Sequence, residues 1–102
     1  MYASLAKWIN IPYQYRPFIK YNGAGVRQLG DPIESLCYPV GDTKFVTDVN
    51  GAQKVSTMQL YVHGTERIKV NDMVLIEGEE RAIYRITSYY RDGAIDLKVV
   101  YL

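Results

Sequence analysis

Alternation between apolar and polar positions is clearest in the last third of the chain. From Lys69 to Leu102, KVNDMVLIEGEERAIYRITSYYRDGAIDLKVVYL, it predicts three β-strands joined by two turns. Met73 to Ile76 reads as a buried strand, Glu77-Gly78-Glu79-Glu80 as a turn, and Ala82 to Tyr90 as the next strand. Asp92-Gly93 then has the chemistry of a tight hairpin turn, since both residues tolerate positive φ. Pairing outward sets Tyr90 against Ile95, Ser88 against Leu97, Ile86 against Val99 and Tyr84 against Tyr101 on one apolar face. Tyr89 with Asp96, Thr87 with Lys98 and Arg85 with Val100 fall on the other, mostly polar face. A one-residue slip would exchange the two faces.

Upstream the pattern weakens. Lys44 to Val62 contains Asn50-Gly51, and pairing from it opposes Thr47 with Lys54, Val46 with Val55 and Phe45 with Ser56. Neither face is cleanly apolar until Met58, Leu60 and Val62, which point one way. The expectation is a core strand at Met58 to Val62 and a projecting ribbon of low local stability from Gly41 to Thr57. Phe18 to Tyr21 reads as a strand, residues 22–33 as a loop rich in turn signals, and Ile33 to Val40 as a strand that Pro39 places at an edge or bulge. Ile68 and Val70 open an element after the His63-Gly64-Thr65-Glu66 turn. Tyr2, Leu5, Trp8 and Ile9 have helical spacing, so Met1 to Asn10 reads as a short helix ended before Pro12, docked on its own barrel or on a neighbour. Ile11 to Tyr15 reads as an extended connector.

Composition adds to this picture. The chain has 102 residues, 12 basic and 11 acidic, so no global field argues for nucleic acid. Residues 1–30 nevertheless hold Lys7, Arg16, Lys20 and Arg27 with no acid, leaving the remainder net acidic, a split that suits head-to-tail contact. Ten tyrosines supply large contact area at a wet boundary. No apolar run fits a signal peptide or membrane span, and the single cysteine fits a reducing compartment, so the expectation is a soluble chain made in the cytoplasm.

Chemistry-bearing residues are sparse. Cys37 permits no intrachain disulfide and joins no His/Cys zinc cluster; it reads as a small apolar filler. His63 is the sole histidine and reads as a solvated turn residue, and Cys37, His63 and Asp72 have no nucleophile turn to make them a triad. Gly23 and Gly25 lack the third glycine and Lys-Ser/Thr ending of a phosphate loop. Glu77, Glu79 and Glu80 read as a solvated loop rather than paired catalytic carboxylates. No catalytic, cofactor or metal residue is assigned, and the reading is not an enzyme.

These elements predict an all-β fold, a small antiparallel β-barrel of about five to six strands with a projecting ribbon. Residues 1–15 would form an N-terminal arm or short helix, 16–102 a single barrel domain, and 41–57 the ribbon. From residue 16 onward the order of features resembles the head-to-tail stopper, or head-closure, proteins of tailed bacteriophages. The resemblance rests on Ser56 and Tyr61-Val62 before a glycine turn, and on Ile68 with Asn71-Asp72 before a hydrophobic strand. It continues with Gly78 before Tyr84-x-Ile86 and a closing Val100-Tyr101-Leu102. Where that family commonly has Gly-Asp, this chain has Asn71-Asp72, and Met1 to Tyr15 have no counterpart.

The resemblance implies a homo-oligomeric ring, typically of about twelve copies, in the virion neck between portal and adaptor rings and the tail-completion protein. A loop from each subunit would close the channel on packaged double-stranded DNA until ejection, with no membrane partner and no cofactor. The ribbon is the natural gating loop, through Lys44, Thr47, Asp48, Asn50, Gly51, Gln53 and Lys54. Subunit or ring–ring contacts would fall on Trp8, Tyr13, Tyr15, Arg16, Arg27, Tyr61 and Tyr89. Two other readings stay open: an adaptor or tail-completion ring without gating, and a host barrel module that binds a peptide through tyrosines such as Tyr61, Tyr89 and Tyr90.

Overall fold

A computed structural model describes residues 7–102. They form eleven strands: β1 Ile11–Arg16, β2 Phe18–Tyr21, β3 Arg27–Leu29, β4 Ile33–Val40, β5 Lys44–Thr47, β6 Gln53–Ser56, β7 Gln59–His63, β8 Met73–Ile76, β9 Glu79–Ala82, β10 Arg85–Arg91 and β11 Ala94–Tyr101. Seven make one antiparallel sheet in the order β10-β11-β7-β4-β1-β8-β9, while β2–β3 and β5–β6 are separate two-stranded ribbons. The all-β class and small-barrel architecture are as expected, with more and shorter strands.

The sheet curls because of how its ends are joined. β9 and β10 lie at opposite ends of the strand order, yet only Ile83 and Tyr84 connect them. Three trans peptide links span at most about 11 Å, so the two edges must approach and the sheet closes into a half-barrel. Ile83 is buried in the interior, and the Tyr84 amide donates to the Tyr101 carbonyl at 2.8 Å. The expected strand Ala82 to Tyr90 is therefore two strands serving opposite edges.

Tyr13, Tyr15, Cys37, Leu60, Val62, Ile68, Val74, Ile76, Ile83, Val100 and Leu102 fill the concave side. Each aliphatic side chain so buried contributes about 1.5–3 kcal/mol. On the convex side Ile9, Leu97 and Val99 form a second cluster with Tyr38, Tyr61 and Tyr101. β11 and β7 are thus covered on both faces and cannot alternate cleanly.

Several expectations are corrected. Tyr2 and Leu5 of the expected helix lie outside the described residues; Lys7 and Trp8 form a turn, and Ile9 docks on its own barrel. Ile11 to Tyr15 is no connector but most of β1, paired with β4 on one side and β8 on the other, so the barrel begins at Ile11 rather than at residue 16. Its Tyr13-Gln14-Tyr15-Arg16 alternation is a strand signal that Pro12 masked. The expected loop 22–33 contains β3. Pro39 sits in an inner strand, tolerated because the β1 ladder ends at Cys37. Ile68 and Val70 pack from a loop, not a strand.

The closing hairpin turns at Asp92-Gly93 with positive φ at both residues, and Tyr90 opposes Ile95 as expected. A β-bulge between Tyr89 and Tyr90 then shifts the register by one residue, so Tyr89 opposes Leu97, Thr87 opposes Val99 and Ile86 opposes Val100. Beyond the bulge β11 is turned over relative to the expected register, which brings Val100 beside Ile86 in the concave core and sends Leu97 and Val99 to the convex cluster.

Candidate functional site

The two ribbons leave opposite ends of the barrel. β4 runs about 23 Å at the usual rise per residue; β2–β3 joins its start and β5–β6 its end. The same turn closes both. The Asn22 side chain accepts hydrogen bonds from the Ala24 and Val26 amides at 2.8 and 3.1 Å, and the Asp48 side chain from the Asn50 and Ala52 amides at 2.9 Å each. Gly25 and Gly51 occupy the left-handed position that ends each turn, at φ 79° and 83°.

That chemistry corrects the ribbon register. Asn50-Gly51 is not a two-residue turn, because Asp48 draws the whole segment Asp48–Ala52 into the loop; Gly51 donates to the Asp48 carbonyl at 3.1 Å. Consequently Lys44 opposes Ser56, Phe45 opposes Val55, Val46 opposes Lys54 and Thr47 opposes Gln53. The faces sort as the sequence register did not. One carries Phe45, Thr47, Gln53 and Val55; the other carries Lys44, Val46, Lys54 and Ser56. Phe45 is 80% exposed, and Val49 at the tip and Val55 are exposed as well.

The root of the ribbon is tightly held. Ser56 is buried and its hydroxyl donates to the Leu102 carbonyl at 2.9 Å; the Thr57 amide donates to the same oxygen, and the Leu102 amide to Met58. Gln59, also buried, donates to the Asp42 carbonyl at 2.8 Å and to the Ser56 hydroxyl at 3.0 Å. Beyond the root, the Arg85 guanidinium donates to the Thr47 carbonyl at 3.1 Å in an exposed bond. The expected gating set, Lys44, Thr47, Asp48, Asn50, Gly51, Gln53 and Lys54, thus lies together on one exposed ribbon, with the Asp48 carboxylate spent on its own turn.

The expected contact set is dispersed. Tyr13 and Tyr15 are each 3% exposed and face the interior, so they cannot form a surface; alternation along β1 turns them inward. Burial pushes the Tyr13 phenol far above its usual range and, with the neighbouring Glu66 carboxylate, raises Tyr15 to about 12. Glu66 also accepts from the Ser35 hydroxyl. Arg16 donates to the Gly30 carbonyl at 3.1 Å and Arg27 to that of Asn71 at 2.9 Å, so both brace the β2–β3 ribbon. Asp72, 3% exposed, completes that brace by accepting from the Phe18 and Lys69 amides at 2.8 Å each. Trp8 is 54% exposed and meets Tyr38 at a tilt, ring centroids 6.3 Å apart, and Tyr38 in turn meets Tyr61. Tyr89 is exposed at the far edge of the sheet.

For chemistry, Cys37 faces the concave core and His63 the convex side, on opposite faces of the sheet, while both Asp72 oxygens are engaged. Burial alone raises the Cys37 thiol to about 12. No group of acids, histidines and cysteines placed to hold a metal occurs among the described residues. Sequence reasoning missed the apolar face of the ribbon, since pairing from Asn50-Gly51 scattered Phe45 and Val55 to different sides. The signal that would have found it is Asp48 three residues before Gly51, the spacing repeated by Asn22 and Gly25. No family model matches the chain, and no curated protein matches it.

Proposed function

We propose that this protein is a structural, non-catalytic ring subunit of the neck of a tailed-phage virion, a stopper whose β5–β6 ribbon narrows the DNA channel after packaging. The observation that carries the reading is the ribbon itself: an exposed apolar face around Phe45, an exposed tip, and a root locked into the barrel by Ser56, Thr57 and Gln59. Such an element moves at its tip without disturbing the scaffold. Large apolar side chains exposed at Trp8, Ile19, Tyr21, Val26, Phe45 and Val49 suit a subunit covered by neighbours on several sides. Lys44 and Lys54 are too few per copy for a tight DNA clamp, which would need many phosphate contacts, and suit a mechanical plug.

The test is removal of the tip residues Asn50–Ala52 in the assembled particle. Rings that form and tails that attach, with DNA leaking, support the stopper; rings, tails and retained DNA together assign an adaptor or tail-completion role. Particles that keep their DNA with the whole protein deleted refute gating, and a gene neighbourhood without terminase, portal and tail genes refutes the phage setting.

A further inference from the structure

On the convex side, opposite the cover supplied by Ile9, the sheet carries an open groove of about 390 Å³ lined by Pro12, Gln14, Glu34, Leu75, Ile76 and Glu77. Ladder register orders it. Glu34 opposes Gln14, Gln14 opposes Leu75, and Leu75 opposes Glu80, so these four residues form one row across β4, β1, β8 and β9. Three inter-strand steps separate the carboxylate-bearing ends by roughly 14 Å. Between them lie Gln14, held to Glu34, and an apolar strip of Leu75 and Pro12, extended by exposed Leu36 opposite Pro12. Glu34 has a single partner, the Gln14 amide at 3.3 Å, and no cation among the described residues pairs with Glu34, Glu77 or Glu80.

The lysine face of the β5–β6 ribbon is the counterpart. Lys44 and Lys54 are diagonal neighbours across the ribbon, about 7–8 Å apart at their bases, with Val46 directly opposite Lys54. Neither lysine pairs with an acid of its own chain among the described residues. Two flexible cations flanking an apolar residue match two carboxylate walls flanking an apolar strip, and the lysine stems can splay to reach either wall. The groove and the ribbon are different patches, so a contact between them is heterologous and adds copies head to tail, closing a ring where the rotation permits.

We infer that the groove over β4, β1, β8 and β9 is the docking site for the lysine face of the β5–β6 ribbon of a second copy of this chain. This deepens the ring reading by naming the contact between copies. The ribbon stem lies on the neighbour, and the Asp48–Ala52 tip stays free.

The experiment is charge reversal and mixing, followed by sedimentation velocity on the full chain. Lys44→Glu with Lys54→Glu, and separately Glu34→Lys with Glu77→Lys and Glu80→Lys, should each weaken self-association about tenfold or more. Mixing the two variants should restore a complex, because each retains one intact or complementary patch. Folded variants that associate as tightly as the wild type, a mixture that stays monomeric, or a wild-type chain that is monomeric at low salt overturns the inference. Where one reversal fails to fold, wild-type association decides: weakening as salt rises supports the contact, and indifference to salt overturns it. Loss of complementation with DNA retention intact refutes this contact alone, whereas DNA retained without the protein refutes the stopper and leaves the mixing result standing.

Discussion

Gly64→Ala tests whether the turn after β7 holds the bulge in β11. A methyl group at Gly64 would lie 2.0 Å from the Ile95 carbonyl oxygen, 2.5 Å from its carbon and 2.9 Å from the Asp96 carbonyl carbon. All three are backbone atoms of the bulged segment, so no side chain can swing aside. Restoring an ordinary contact of about 3.5 Å requires roughly 1.5 Å of separation between two strands paired at His63 and Leu97. Gly64 has an unremarkable φ, so the cost is steric rather than conformational. Overpacking of this kind costs about 1–3 kcal/mol, and weakening one neighbouring ladder bond adds about 1 kcal/mol. A total of about 3 kcal/mol is a large share of a typical domain's 5–15 kcal/mol or so. At roughly 4–8 °C per kcal/mol for a chain of this size, Tm should fall by about 12–24 °C. Thermal melting by circular dichroism and urea unfolding measure it, and amide exchange at Tyr89 to Leu97 reads the register. A Tm within about 4 °C of the wild type, with unchanged exchange, would refute the view that Gly64 sets the bulge.

Other outcomes follow from the same contacts. Asp72→Ala leaves the Phe18 and Lys69 amides without their acceptor; it should cost about 2–4 kcal/mol and speed exchange at both amides, while normal protection there would count against the brace. Asp48→Ala removes the acceptor for Asn50 and Ala52; limited proteolysis should move to residues 48–52 with Tm almost unchanged, and a large Tm loss would mean the ribbon is not independent of the barrel. Cys37, fully buried with a raised pKa, should resist thiol reagents until urea unfolds the chain. Rapid native labelling would contradict its place in the core. In alkali the sign is fixed by protons retained in the fold. Burial raises Cys37 from 9.0 to about 12, and Tyr15 rises from 10.0 to about 12. Well below pH 9 both are protonated in either state, and as pH climbs through 9 toward 12 the unfolded chain releases protons first, so stability falls. Cys37→Ala should remove the part of the decline that begins near pH 9, and a urea midpoint constant across that window would refute the burial.

Much of the fold follows from local chemistry. Phe18–Tyr21, Ile33–Val40 and Met73–Ile76 are strands with the expected bounds, and Asp92-Gly93 is the expected turn, because alternation and turn residues act within a few positions. The ribbon as an exposed excursion is also written in its mixed faces, since residues that bury nothing leave no clean period. Register was settled elsewhere. The bulged segment at Ile95 and Asp96 packs against Gly64, more than thirty positions away in the chain, and no local pattern carries a contact of that range. Likewise Tyr13 and Tyr15 look like surface tyrosines until β4 and β8 flank β1 and turn them inward. The break at Ile83 exists only because two sheet edges must meet. Strands and turns are short-range properties of the backbone and its nearest side chains; the faces they present, and so the groove and the lysine side of the ribbon, depend on long-range pairing that only the closed sheet decides.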